Sequence, residues 1–307
     1  MNTPFLYLAT ILIWGTTWIA ITYQLGSAAA STSVMLRFGL ASAILFLWCA
    51  VRRVPLRLTA EQHRRAAAQG ACLFGINLLL LYMAERSIPS GVVSVIFTTI
   101  IPMNLVGGRL IFGTPVSLRT GVGAALGLAG VALVFWPELA ELHSLSTSLT
   151  GLVYALAGTA SACAGSLISA RNQRAGMPIL QTNAYGMAYG AVTVGLVGLL
   201  FGQSLHVGWS TSYALSLTYL AVFGSILAFG AYLTLLSRIG PGRAAYTGVL
   251  FPLVALEISA IWEHYHWTPS ALAGMGCCVA GSIVMNLRAS APEVRRQAGG
   301  RGPEAVK

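Results

Sequence analysis

Two glutamates stand in the stretch FPLVALEISAIWEHYHW, residues 251–267: Glu257 interrupts an apolar run and Glu263 closes it. A carboxylate inside such a run must face a wet cavity, pair with a cation or hold a proton. Exposing a charge to lipid near the bilayer centre costs about 2.5–3.5 kcal/mol. The residues one helical turn from Glu257 are Leu253, Val254, Ala260 and Ile261, and none offers an ion pair. The other deeply set charge is Arg37. Three readings compete: an Arg37–Glu257 pair or bonding to backbone carbonyls, a gating or substrate-binding role, and proton coupling through Glu257. Glu263 suits a helix end, as an interfacial or capping carboxylate or as part of an external gate. His264 and His266 follow it two apart, without the HExxH spacing of a zinc protease, so neither metal nor cofactor is expected.

Neutral polar and aromatic residues are the better candidates for recognition. Asn77 and Tyr82 lie in one apolar run, Ser94, Thr98 and Asn104 in the next, and Tyr232 and Tyr246 in two later ones. A cavity lined by rings and a few hydrogen-bonding groups suits an amino acid or a flat amphiphile. The same residue types also glue membrane helices together, at about 0.6 kcal/mol each. Trp14 and Trp18 share a helical face and either pack against a neighbour or edge the cavity. Pro102 and Pro252 each remove a helical hydrogen bond, as pivots or as fixed bends.

These residues must be positioned by membrane helices. The 307 residues are 56% hydrophobic and 8% charged, with mean hydropathy +0.75. Apolar runs fall at 4–22, 32–51, 66–84, 89–112, 117–136, 150–170, 179–201, 213–236, 241–263 and 268–288. Each has about the 20 residues a spanning helix needs. Arg52, Arg53, Arg57, Arg64, Arg65, Arg119, Arg171, Arg174, Arg238 and Arg243 fall on one side of this pattern, and Arg86, beside Glu85, falls on the other. The positive-inside rule then predicts that both termini are cytoplasmic. The net charge of +10 is spread over loops, helix ends and tail, so no nucleic-acid partner is expected. The five cysteines lie in apolar runs, as small hydrophobes do.

SIPSGVVSVIFTTIIP (87–102) aligns with SRIGPGRAAYTGVLFP (237–252), and GAALGLAGVALV (123–134) with GMGCCVAGSIVM (274–285), at offsets of 150 and 151. Five spans per copy is an odd number, so the second copy runs upside down. The expected fold is an all-α polytopic membrane protein, ten transmembrane helices in two five-helix inverted repeats. The repeats are expected at 1–137 and 150–288, with an external linker at 138–149 and a disordered cytoplasmic tail at 289–307.

The chain resembles the drug/metabolite transporter superfamily in its EamA-like branch. The resemblance rests on WGTTW, RFGLAS, IPSGVVSVIFTTIIP, GAALGLAGVALVF, SRIGPGRAAYTGVLFPLVALEISAIWE and GMGCCVAGSIVMNL, in that order. It implies ten helices in the bacterial inner membrane, a cavity between the third, fourth, eighth and ninth, and export of amino acids, metabolites or amphiphilic drugs. The family's glutamate after the fourth helix of each repeat survives as Glu263 but is Thr114 in the first copy. Glu257 likewise matches Gly107. The expected activity is secondary transport of small molecules by alternating access, with amino acids, bulky aromatic ones included, as cargo. Amphiphilic drugs and nucleobase-like metabolites are alternative cargoes. An integral-membrane enzyme or receptor is the alternative class, but the chain has no aspartate, no Walker loop and no clustered catalytic groups. The bilayer is the expected environment, and the oligomeric state is unreadable because intramolecular and intermolecular helix contacts use the same small residues.

Overall fold

The computed structural model describes residues 3–113, 118–140, 145–232 and 247–286. Among them are ten helical rods. The first four are α1 Thr3–Thr22, α2 Ala30–Val51, α3 Ala60–Ala84 and α4 Ser90–Phe112. Then come α5 Leu118–Ala140, α6 Leu145–Arg174 and α7 Ile179–Leu200. The last three are α8 Thr211–Tyr232, α9 Thr247–Trp262 and α10 Pro269–Asn286. Apolar side chains such as Leu47, Leu110, Leu196 and Ile261 cover the outside, as expected where lipid is the solvent.

Two rods are longer than their apolar runs predict. α3 starts at Ala60, not near 66, because a capping box closes its first turn: the Gln62 amide donates to Thr59 Oγ1 and the Thr59 amide to Gln62 Oε1. α6 runs from Leu145 to Arg174, well past the predicted 150–170. Small polar residues lower hydropathy without breaking helical hydrogen bonding.

The repeat is visible in local geometry. Ala71–Ile76 of α3 and Leu220–Leu227 of α8 both widen to i→i+5 hydrogen bonding, and they stand at the repeat offset from one another. Such wide turns are rare and concentrate at functional sites. The matched prolines are less alike. α4 is interrupted at Thr98–Thr99, just ahead of Pro102. In α9, by contrast, Pro252 sits inside a continuous helix. The two prolines therefore do not make the same bend among the described residues.

α5 and α10 cross as an isologous pair. A Cβ on Gly130 would stand 2.5 Å from the Gly274 carbonyl oxygen, and a Cβ on Gly281 2.5 Å from that of Gly123. Gly274 is the repeat counterpart of Gly123, and Gly281 that of Gly130. One pseudo-twofold axis thus relates both contacts, and only glycine permits backbones to approach this closely.

Two buried cores result. One gathers Trp18, Ile96, Val134, Phe251, Leu256 and Met275. The other gathers Phe38, Phe74, Tyr82, Met187 and Leu220. Each draws on both halves of the chain.

Gly130→Ala should lower the melting temperature in detergent, since overpacking at a backbone contact costs about 1–3 kcal/mol. A Cβ on Gly276 meets nothing within 4 Å, so Gly276→Ala should be neutral or mildly stabilising. Equal melting temperatures for the two variants would contradict this account of the crossing.

Candidate functional site

α2 carries Arg37 into the interior, where it is only 5% exposed. Its Nε donates to Ser225 Oγ of α8 at 3.2 Å, and its guanidinium carbon lies 5.2 Å from the Phe38 ring centroid. Ser225 in turn donates to the Leu220 carbonyl, five residues back, at 2.9 Å. The wide turn of α8 thus sets the acceptor for the arginine. The expected alternative, a pair with Glu257, is not formed. Glu257 shares an exposed stripe with Ile261, one turn on, and the ion pairs among the described residues are Arg64 and Arg65 to Glu61. Depth along a helix places a residue in height but not around the axis.

Tyr82, fully buried in α3, lies within the field of the arginine and donates its hydroxyl hydrogen to Gln24 Oε1 at 3.0 Å. Nearby, the Ser33 and Tyr213 hydroxyls bond at 3.1 Å. Several buried atoms in this region have no partner among the described residues: Gln24 Nε2, Arg37 Nη1 and both carboxylate oxygens of Glu85. A buried polar atom without a partner costs about 1–3 kcal/mol, more if charged. Arg37 acts electrostatically on both Tyr82 and Glu85, so these groups belong to one region.

Glu85 and Glu263 both follow the carbonyl end of a helix, α3 and α9, but Glu263 also reaches the amide end of α4. Glu263 follows α9, where left-handed His264, φ 56°, turns the chain back. Its carboxylate accepts from the Ser90 amide at 3.0 Å, the Ser90 hydroxyl at 2.6 Å and the Ser259 hydroxyl at 2.5 Å. It therefore caps the first turn of α4 from another helix, where a negative charge is favoured. Glu85 ends α3, its amide bonded to the Leu81 carbonyl at 3.0 Å, and is 7% exposed. Burial pushes its carboxyl well above the usual glutamate range, with the Glu263 charge adding to this and Arg37 opposing it. Nothing in the sequence beyond the apolar LLLLYMAE run hints that Glu85 is enclosed, since Arg86 beside it suggests a solvated pair.

A layer of rings lies alongside. Trp18 contacts Phe97 and Phe251 at 5.7 and 6.3 Å between centroids. Trp14 contacts Phe229, Tyr232 and Phe251 at 5.6, 5.2 and 6.3 Å. Phe74 joins Phe229 to Phe38. These rings come from α1, α2, α3, α4, α8 and α9.

The remaining predicted residues divide. Ser94 and Thr98 are buried, and their hydroxyls return to Gly91 and Val95 of their own helix at 2.5 and 2.7 Å. Asn77 donates to Leu73 within α3, while Asn104 accepts from Ser166 of α6 at 2.7 Å. Neither meets the arginine cluster. Tyr246 lies outside the described residues.

The model of the EamA-like transporter family matches the chain twice, at residues 2–136 and 149–287. The uncharacterized inner membrane transporter YedA of Escherichia coli K12 is 29% identical over 250 residues, 81% of this chain and 78% of its own. The probable amino-acid metabolite efflux pump of Salmonella typhimurium LT2 is 24% identical over 287 residues, 91% and 93% of the two chains. Protein PecM of Dickeya dadantii 3937 is 25% identical over 274 residues, 89% and 88%. A crystal structure shares the fold with TM-score 0.67 over 92% of this chain and 96% of its own, at 16% identity. With its apolar helices and these relatives, the chain is a multi-pass inner-membrane protein.

Two stability measurements test the glutamate ends. Glu263→Ala should cost about 0.5–2 kcal/mol, as loss of a helix cap does. Because folding raises the Glu85 value, the folded state holds that proton more tightly than the unfolded one. Its stabilising share is complete below the ordinary glutamate value, about 4.3, and is lost as pH rises through the folded value. Glu85→Gln should flatten that decline in thermal scans across pH. A decline as steep as in the parent protein would place its origin elsewhere.

Proposed function

Because the chain belongs to the EamA-like transporter family, we propose that it exports amino acids, bulky aromatic ones included, by alternating access between its two halves. The observation that carries this reading is the set of unpartnered buried donors on Arg37 and Gln24 beside the ring layer. An α-carboxylate would take the free Nη1 of Arg37 and the Nε2 of Gln24, with Tyr82 alongside. Charge-assisted bonds of this kind are the strong ones. An apolar or aromatic side chain would lie among Trp14, Trp18, Phe97, Phe229 and Phe251. A buried guanidinium repels a cation, which sets amphiphilic cations behind amino acids as cargo. A relative's name as a probable amino-acid metabolite efflux pump supports the same class.

In this reading residues 1–137 and 150–288 are the moving halves, with the arginine-rich end cytoplasmic. Arg37 on α2 and Ser225 on α8 join the halves, so a carboxylate competing for the guanidinium would weaken that joint. The wide turns of α3 and α8 are the places where the helices bend.

The test is a counterflow screen in proteoliposomes over amino acids, nucleosides and amphiphilic cations. Aromatic amino acids should exchange. Arg37→Ala should raise their KM roughly 10–100-fold, the loss expected for a hydrogen bond to a charged group worth about 1.5–3 kcal/mol. Exchange confined to cations, or an unchanged KM in a folded Arg37→Ala protein, would refute the assignment.

A further inference from the structure

Glu85 is used neither by the cap on α4 nor by the carboxylate-binding donors. It is nine-tenths buried, and neither oxygen has a partner among the described residues. Its surroundings disfavour a charge there in three ways. It terminates α3, where the carbonyl end of the helix dipole repels an anion. Burial removes water from a group that gains no hydrogen bond in exchange. A second carboxylate, Glu263, lies close enough to repel it. Glu263 escapes the same fate through its donors on Ser90 and Ser259. Two like groups whose environments push them apart divide into one that stays charged and one that takes a proton.

We propose that Glu85 is a proton-binding site, loaded and unloaded as the two halves move, through which a pH gradient drives transport. The inference rests on the exporter reading for its role in transport, though not for the existence of the site. The step is a plain protonation: a proton from water binds a carboxylate oxygen of Glu85, and the neutral acid returns it to water when the site opens to the other side. Burial in the enclosed state forces the neutral form, and hydration in the opened state releases it, also in agreement with the raised value. The charged groups that act on Glu85 are Arg37 from α2 and Glu263 from the end of α9. Beyond these, Tyr82 stands one turn back on α3 and within the field of Glu85, Arg86 is next in the chain, α6 carries Tyr154 and Cys163, and Tyr265 follows α9. Arg37 pulls toward the ionised form. Its exchange of partners in the transport cycle would alter the hold on the proton.

The experiment has two arms. Infrared difference spectra of the substrate-free protein in proteoliposomes, titrated in H2O and D2O, read the protonated-carboxyl stretch directly. A carboxyl band should persist above the ordinary glutamate range, vanish in Glu85→Gln and remain in Glu257→Gln. In Glu263→Gln its midpoint should fall by about one pH unit, the scale on which neighbouring charges move a carboxyl. The second arm measures L-phenylalanine flux against an imposed pH gradient. The parent protein should concentrate it at least several-fold, and Glu85→Gln should show flux with a flat pH profile. A band that titrates in the ordinary range, or survives Glu85→Gln, overturns the proton site. Counterflow of L-phenylalanine that ignores the gradient in the parent protein overturns its role in coupling. Absence of counterflow for every solute in the screen, with the band intact, strikes the exporter reading and leaves the proton site standing.

Discussion

A guanidinium cannot shed its charge, so a fold that buries one must be organised around it. Arg37 is that group here. Enclosing it calls for acceptors, and one comes from Ser225 in the other repeat. That acceptor exists because α8 widens over Leu220–Leu227 and lets the Ser225 hydroxyl fold back on Leu220. The hydroxyl of Tyr82 and the ring of Phe38 fill out the surroundings. The result is a charged tie between the halves, incompletely satisfied and next to a wall of rings. A solute carboxylate entering there would meet a charge already desolvated, in a medium where its attraction is far stronger than in water.

How much of this could be read beforehand depended on the kind of information required. Rod number follows from apolar run length, and inversion follows from the odd number of spans per copy. Rod ends needed local chemistry: TAEQ before α3 is a capping box in plain sight, yet hydropathy alone passes over it. Arg37, Tyr82, Trp14 and Trp18 stand out singly as unusual residues in apolar runs. Their partners do not, because azimuth around a helix is set by packing with distant segments. Ser94 and Thr98 share a face as their spacing says, but spacing could not tell that each hydroxyl is spent on its own helix. Glu85 was the least legible. Its enclosure depends on segments more than sixty residues away in sequence closing over the end of α3.

The glutamates illustrate why type and depth are poor guides without local polarity. Glu257 is the more conspicuous in sequence and stands on an exposed face. Glu263 looks terminal and turns out to fasten α9 to the start of α4. Donors separate the other pair: helix carbonyls lie behind both, but Glu263 also meets the amide end of α4, and Glu85 meets no donor among the described residues. Both effects arise from backbone groups that every helix must leave unpaired at its ends.

The glycine crossing of α5 and α10 has a consequence for the energetics of the whole molecule. An isologous contact looks the same from either end of its axis. If every contact obeyed that axis, conformations open to opposite sides of the bilayer would be mirror tasks of equal energy, and the crossing itself would favour neither. Any preference must then come from positions where the copies have diverged. Gly107 lies against the tip of Leu167, which would have to turn aside to admit a side chain, while its counterpart Glu257 has open space. In the proposed cycle the degenerate scaffold and the handful of unmatched residues would thus hold separate tasks: the first would make two states possible, and the second would set the resting balance between them.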